Sequence, residues 1–141
     1  MNRYILLILF AGTFSLSSKA QFGVAFHQSN LPFFDFNYQL DEKFGVSLRV
    51  GSDNYIEDLG YEAAFTYNFI SKDDYNFYVG VGGRFNIFDG IVIPVGLQLF
   101  PFENKKFGFH GELTPMAVIG DAGSGVLLRG SWGIRYRFLK E

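Results

Sequence analysis

Between Leu128 and Phe138 the chain reads LRGSWGIRYRF, and alternate positions carry opposite chemistry. In an extended strand Leu128, Gly130, Trp132, Ile134, Tyr136 and Phe138 share one face, while Arg129, Ser131, Gly133, Arg135 and Arg137 share the other, because successive side chains point to opposite sides. A soluble sheet buries such an apolar face and wets the arginines. A barrel in a bilayer does the reverse, with the apolar face on lipid and the guanidiniums in a polar lumen.

The same segregation runs through the whole chain after its first twenty residues. Phe22, Val24 and Phe26 alternate with Gly23, Ala25 and His27 until Asn30 and Pro32 break the run. Phe34, Phe36, Tyr38 and Leu40 oppose Asp35, Asn37 and Gln39; Phe44, Val46, Leu48 and Val50 oppose Gly45, Ser47, Arg49 and Gly51. Runs from Leu59 to Ile70 and from Tyr75 to Asn86 place Glu62 and Arg84 opposite aromatic and aliphatic residues. From Ile91 to Phe100 the pattern weakens around Pro94, which predicts a bulge or an irregular edge there. Phe107 to Met116 sets Phe107, Phe109 and Leu113 against His110, Glu112 and Thr114. Period-two alternation with polar breaks and no helical segment predicts about eight antiparallel strands joined as hairpins.

Met1 to Ala20 has a different character. A basic start at Arg3, a short apolar run and Ser18-Lys19-Ala20 are the three parts of a secretory signal, with cleavage expected after Ala20. The apolar run is too short for a membrane-spanning helix, which needs about 20 residues. The predicted organisation is therefore a signal peptide over 1–20 and one β-barrel domain over 21–141. Loss of Arg3 and Lys19 leaves ten of the 12 basic residues against 14 acids, a net charge of −4. That balance excludes a basic nucleic-acid surface. With zero cysteines there is no disulfide scaffold and no thiolate metal site.

Two asymmetries favour the membrane barrel. The aromatic faces hold no charged residue, as a bilayer requires when a lipid-facing charge at its midplane costs about 2–4 kcal/mol. The opposite faces hold Asp35, Glu62, Glu112, Arg49, Arg84, Arg129, Arg135, Arg137, His27 and His110. The mature lysines (Lys43, Lys72, Lys105, Lys106 and Lys140) all fall in turns or the tail, leaving only arginine within strands. Arginine suits enclosed bidentate pairing. The connections also alternate in kind: Asp41–Lys43, Ser71–Asp74 and Pro101–Lys106 are compact and charged, whereas the others carry Asn30, Pro32, Gly90, Gly123 and Gly125.

Ser131-x-Gly133-x-x-Tyr136-x-Phe138 on the last strand resembles the C-terminal assembly signal of outer-membrane β-barrels, although Leu139-Lys140-Glu141 follow it. With the strand count, the mature chain resembles the small eight-stranded outer-membrane β-barrel proteins of Gram-negative bacteria. The resemblance implies a barrel fold, outer-membrane residence, and outer-membrane lipids and the assembly machinery as partners. It implies no single activity, because one fold hosts many functions.

The candidate chemistry is sparse. His27-Gln28-Ser29-Asn30 is similar to the lipid A deacylase family, in which a histidine activates a serine, though that family carries the motif late in the barrel. Parity directs His27 inward, away from lipid. Asp53, Glu57, Asp58, Asp89 and Asp121 form a prospective acidic rim whose spacing matches no cation loop. No metal or cofactor motif is present. With about eight strands the interior is expected to be filled by side chains, so Asp35, Arg49, Glu62, Arg84, Glu112, Arg129, Arg135 and Arg137 are expected to form an ion-pair plug. The leading expectation is a non-enzymatic envelope protein with a structural or surface-interaction role. A lipid-active hydrolase using His27 and Ser29 comes second, and a soluble periplasmic or secreted barrel binding an apolar ligand third.

Overall fold

A computed structural model describes residues 21–52, 59–86, 89–119 and 125–138; the expected signal peptide and the tail after Phe138 lie outside them. Their strands, in chain order, are β1 (Gln21–Ser29), β2 (Phe33–Gln39), β3 (Phe44–Gly51), β4 (Tyr61–Ser71), β5 (Tyr75–Phe85), β6 (Gly90–Val92), β7 (Val95–Leu99), β8 (Phe107–Val118) and β9 (Gly125–Phe138). Each pairs antiparallel with its neighbours, and β9 returns to β1 with Phe22 opposite Phe138 and Ser29 opposite Ser131. The sheet closes on itself. Closure leaves no open edge, the condition a sheet must meet to sit in hydrocarbon.

The β6 and β7 segments both lie between β5 and β8, so they are two pieces of one stave and the barrel has eight staves. Pro94 is the cause of the break. Without an N–H it cannot continue the ladder, although its carbonyl accepts from the Gly80 N–H at 2.7 Å and the Ile93 N–H reaches the Pro115 carbonyl at 3.0 Å. A second irregularity falls between Asn68 and Ile70, where the β4–β5 register shifts. Both Phe69 and Ile70 are exposed there. Two boundaries differ from the sequence pattern: β4 begins at Tyr61 rather than Leu59, and the last strand starts at Gly125, three residues before the alternation becomes charged.

Burial is inverted relative to a soluble protein. Arg49, Glu62, Glu112 and Arg129 are buried, while Phe34, Phe85, Trp132 and Ile134 are exposed. The described strands carry no charged side chain on their outer faces. At the end bearing Gln21 and Phe138, rings touch across and along strands: Phe22 with Phe138, Phe44 with Tyr67, Tyr136 with Phe138. This is the aromatic belt that a membrane interface favours. The expectation of a soluble barrel holding an apolar ligand is thereby overturned, because the Phe and Val faces point outward and the interior is charged.

We call the end carrying Gln21 and Phe138 the terminal end and its opposite the far end. At the terminal end, the Asp41 carboxylate accepts from the N–H groups of Lys43 (2.7 Å) and Phe44 (2.8 Å), closing the β2–β3 turn. The Lys105 ammonium binds the Asp74 carboxylate and so ties two turns of this end together.

Candidate functional site

Register alone builds the first part of the lumen. Asp35 lies opposite Arg49, Arg49 opposite Glu62, and Glu62 opposite Arg84, so opposite charges alternate across β2, β3, β4 and β5. Charged neighbours on one face of a sheet attract when their signs alternate. The remaining members come from across the barrel. Arg49 Nη1 and Nη2 donate to the two oxygens of Glu112 at 2.9 and 2.7 Å, and Nη1 also reaches Glu62 at 2.9 Å. Arg129 clasps Glu62 in a bidentate pair at 2.9 and 3.0 Å. Arg84 reaches Glu62 at 3.4 Å.

Neutral groups take up the remaining acceptor capacity. Thr114 Oγ1 donates to Glu112 at 2.7 Å, the Tyr78 hydroxyl donates to the same carboxylate, and Ser47 donates to Asp35. The Phe33 ring carries the Arg49 and Arg129 guanidiniums at 5.0 and 4.4 Å from its centre, in cation–π geometry. Towards the far end, Val92 and Met116 are buried. Breaking one member of a buried pair costs about 3–5 kcal/mol, because the partner charge is stranded. Three guanidiniums (Arg49, Arg84, Arg129) meet three carboxylates (Asp35, Glu62, Glu112), so the cluster is neutral as a unit.

His27 does not engage Ser29. Its Nδ1 lies 3.1 Å from Ser131 Oγ and its Nε2 lies 3.3 Å from Asp35. The Ser29 hydroxyl instead accepts from the Leu31 N–H at 2.9 Å and shapes the β1–β2 turn. The hydrolase expectation for His27 and Ser29 fails on this geometry: a strand-end serine serves its own turn, and the histidine two residues earlier faces inward. His27, Asp35 and Ser131 do form a serine–histidine–carboxylate chain, but all three are buried inside the plug. The His27 ring also stacks on Phe33 at 4.2 Å and meets the His110 ring at 3.8 Å.

Gly133 lies opposite His27 on one side and His110 on the other; a Cβ there would clash with the Phe26 carbonyl oxygen and stand 3.2 Å from His110 Cε1, so the close approach of β1 and β9 requires glycine. Of the assembly-signal residues, Ser131 and Gly133 thus face the lumen, whereas Tyr136 and Phe138 lie on the outer face at the terminal end.

The last two arginines sit elsewhere. Arg135 comes no nearer than 3.9 Å to Asp35, and Arg137 donates from Nε to the Lys105 carbonyl at 3.0 Å while its guanidinium covers the Phe100 ring at 3.4 Å. Arg137 was expected in the ion-pair plug; a carbonyl and an aromatic ring hold it instead, because it stands well beyond Arg129 along β9, nearer the terminal end. There the lumen opens into a cavity of about 800 Å3. Its wall is made of amides, Asn37, Gln39, Asn68, Asn76 and Gln98, and both arginines line it.

Sequence reasoning missed Phe33, although its parity with Asp35 marks it as an aromatic on the polar face. It also assigned no role to Ser47, Tyr78 and Thr114, which only the cross-barrel geometry reveals. Of the prospective acidic rim, Asp53, Glu57, Asp58 and Asp121 lie outside the described residues, and the Asp89 carbonyl accepts from the Ile119 N–H at 2.7 Å. Among the described residues no three metal-ligating side chains gather.

No known family's sequence profile and no curated protein sequence matches this chain. Solved structures do. The N-terminal β-barrel domain of Pseudomonas aeruginosa OprF superposes with a TM-score of 0.59 at 14% identity, covering 84% of this chain and 96% of that one. The Yersinia pestis outer membrane protein Ail, solved in a phospholipid bilayer nanodisc, gives 0.52 at 16% identity over 86% of this chain and 100% of its own. The chain has the fold of the small outer-membrane β-barrels. At such identities the likeness concerns the fold, so any role must be argued from the side chains that the barrel encloses.

Proposed function

We propose that the mature chain resides in the outer membrane of a Gram-negative cell as a non-enzymatic barrel that does not conduct, serving envelope integrity or surface interaction. The observation that carries this reading is the pairing of a charge-free outer face with a neutral, buried ion-pair cluster across the lumen. The first matches lipid and the second leaves no continuous water path, since an eight-stranded interior is just filled by side chains. Outer-membrane lipids and the barrel assembly machinery are the partners this reading requires.

The test is fractionation followed by gel mobility with and without boiling, together with planar-bilayer recording. A folded form that shifts on heating, found in the outer membrane and electrically silent, is the expected result. Recovery as a soluble monomer, or a stable ion-selective conductance, refutes the proposal. The role of the last strand is tested by replacing Tyr136 and Phe138 together with Ser. Insertion should fall further than when Phe107 and Phe109 are replaced in the same way, although the apolar area lost is similar; equal defects would remove the assembly-signal assignment.

A further inference from the structure

The terminal-end cavity has features that the proposed role does not use. Five guanidiniums face the lumen against three carboxylates among the described residues, and the plug neutralises three of them. Two guanidiniums are therefore in excess: Arg137 meets no carboxylate in the plug, and Arg135 has only Asp35 at 3.9 Å, which Arg49 shares; both line the cavity. Arg135 is only 5% exposed, and its ladder neighbours are Ala25 and Gly108, which offer it no polar side chain. Its Nε is buried without a hydrogen-bond partner, and so is Asn37 Nδ2 on the adjoining wall. Buried donors left unpaired are rare in folded proteins and call for an acceptor. Unpaired nitrogens also occur inside the plug, on Arg129 and His110, but these two belong to residues that line the cavity, and as N–H donors they match a ligand with acceptor oxygens.

The surroundings narrow the class further. The turn residues at the mouth bring four carboxylates (Asp41, Glu42, Asp73 and Glu103) against two lysines, an acidic entrance that disfavours polyanions. Side-chain amides on the wall both donate and accept, matching peptide groups. About 800 Å3 is ample for a small ligand. We infer that this vestibule binds a small peptide-like solute with a free carboxylate and a cationic or neutral remainder. The carboxylate sits on the floor against Arg135, with Asn37 as a second donor. The peptide groups lie along Gln39 and Gln98, and an ammonium stays near the acidic mouth.

This inference rests on the barrel reading, since it needs a terminal end open to water. The experiment therefore first checks the heat-dependent mobility of wild-type protein refolded in detergent micelles; failure there refutes the barrel reading and takes this one with it. Amide NMR shifts are then followed while Ala-Ala, Ala-Ala amide or inorganic phosphate is added. Saturable shifts confined to vestibule residues are expected with Ala-Ala, with affinity about tenfold lower for the amide and for Arg135→Gln, as loss of a charge-assisted pair implies. Lys43→Gln, in a turn outside the cavity, should bind as wild type does. If Arg135→Gln does not fold, Asn37→Ala should show a smaller weakening in the same direction. No saturation by Ala-Ala up to about 50 mM, wild-type binding by folded Arg135→Gln (or, if that does not fold, by Asn37→Ala), or tighter binding of phosphate than of Ala-Ala would each overturn the assignment.

Discussion

Around Arg49 and Glu62 the lumen is packed solid, and nearer the terminal end, around Gln98 and Arg137, it is an open cavity. Both regions are polar, both are enclosed by the same eight staves, and both are lined by the inward parity of those strands. They differ in what each side chain can reach. Arg49 touches Glu62 and Glu112 within 2.9 Å, whereas Gln98 meets Asn76 only at 3.5 Å. Long side chains of opposite sign span the barrel and lock; amides of middle length stop short and leave room for water. Filling the lumen thus depends on charge pairing across it rather than on polarity.

The comparison can be broken most directly by chemical access. The chain has no cysteine, so single replacements report cleanly. Gln98→Cys should react with a water-soluble maleimide at least about a hundredfold faster than Ser47→Cys, because thiol reactivity follows exposure. Comparable rates in folded protein would mean that the plug is hydrated and the contrast false.

Stability should divide along the same line. Glu62 accepts from Arg49, Arg84 and Arg129, and Glu62→Gln removes the carboxylate charge that these three guanidiniums share. A loss of about 3–5 kcal/mol is expected in urea titrations of vesicle-inserted protein. Gly133→Ala, at the boundary between the two regions, drives a Cβ against the Phe26 carbonyl and crowds the His110 ring. Overpacking of this kind costs about 1–3 kcal/mol, so its unfolding midpoint should fall between those of Glu62→Gln and wild type. The smallest effect is expected from Gln98→Ala, within about 0.5 kcal/mol of wild type, since a water-facing amide removes no buried contact. A large loss at Gln98 alongside a small one at Glu62 would invert the comparison.

The sequence alone determined which residues face lipid and which face the lumen. Side-chain parity in a strand is local and exact, so Trp132 and Ile134 were legible as outward, and Arg129 and Glu112 as inward, before any fold was known. Strand number followed from the spacing of breaks, and Pro94 announced its own interruption by lacking an N–H. Partnership was not legible. Arg49 meets Glu112 across 63 residues and Arg129 meets Glu62 across 67; such contacts depend on barrel closure and stagger, which no local pattern encodes. For the same reason His27 found Ser131 on the closing strand rather than Ser29 beside it in the chain, and Arg137, inward as its parity requires, fell below the plug onto Phe100. Alternation decides the face of the sheet; only closure of the sheet decides the height at which each side chain stands and what stands opposite.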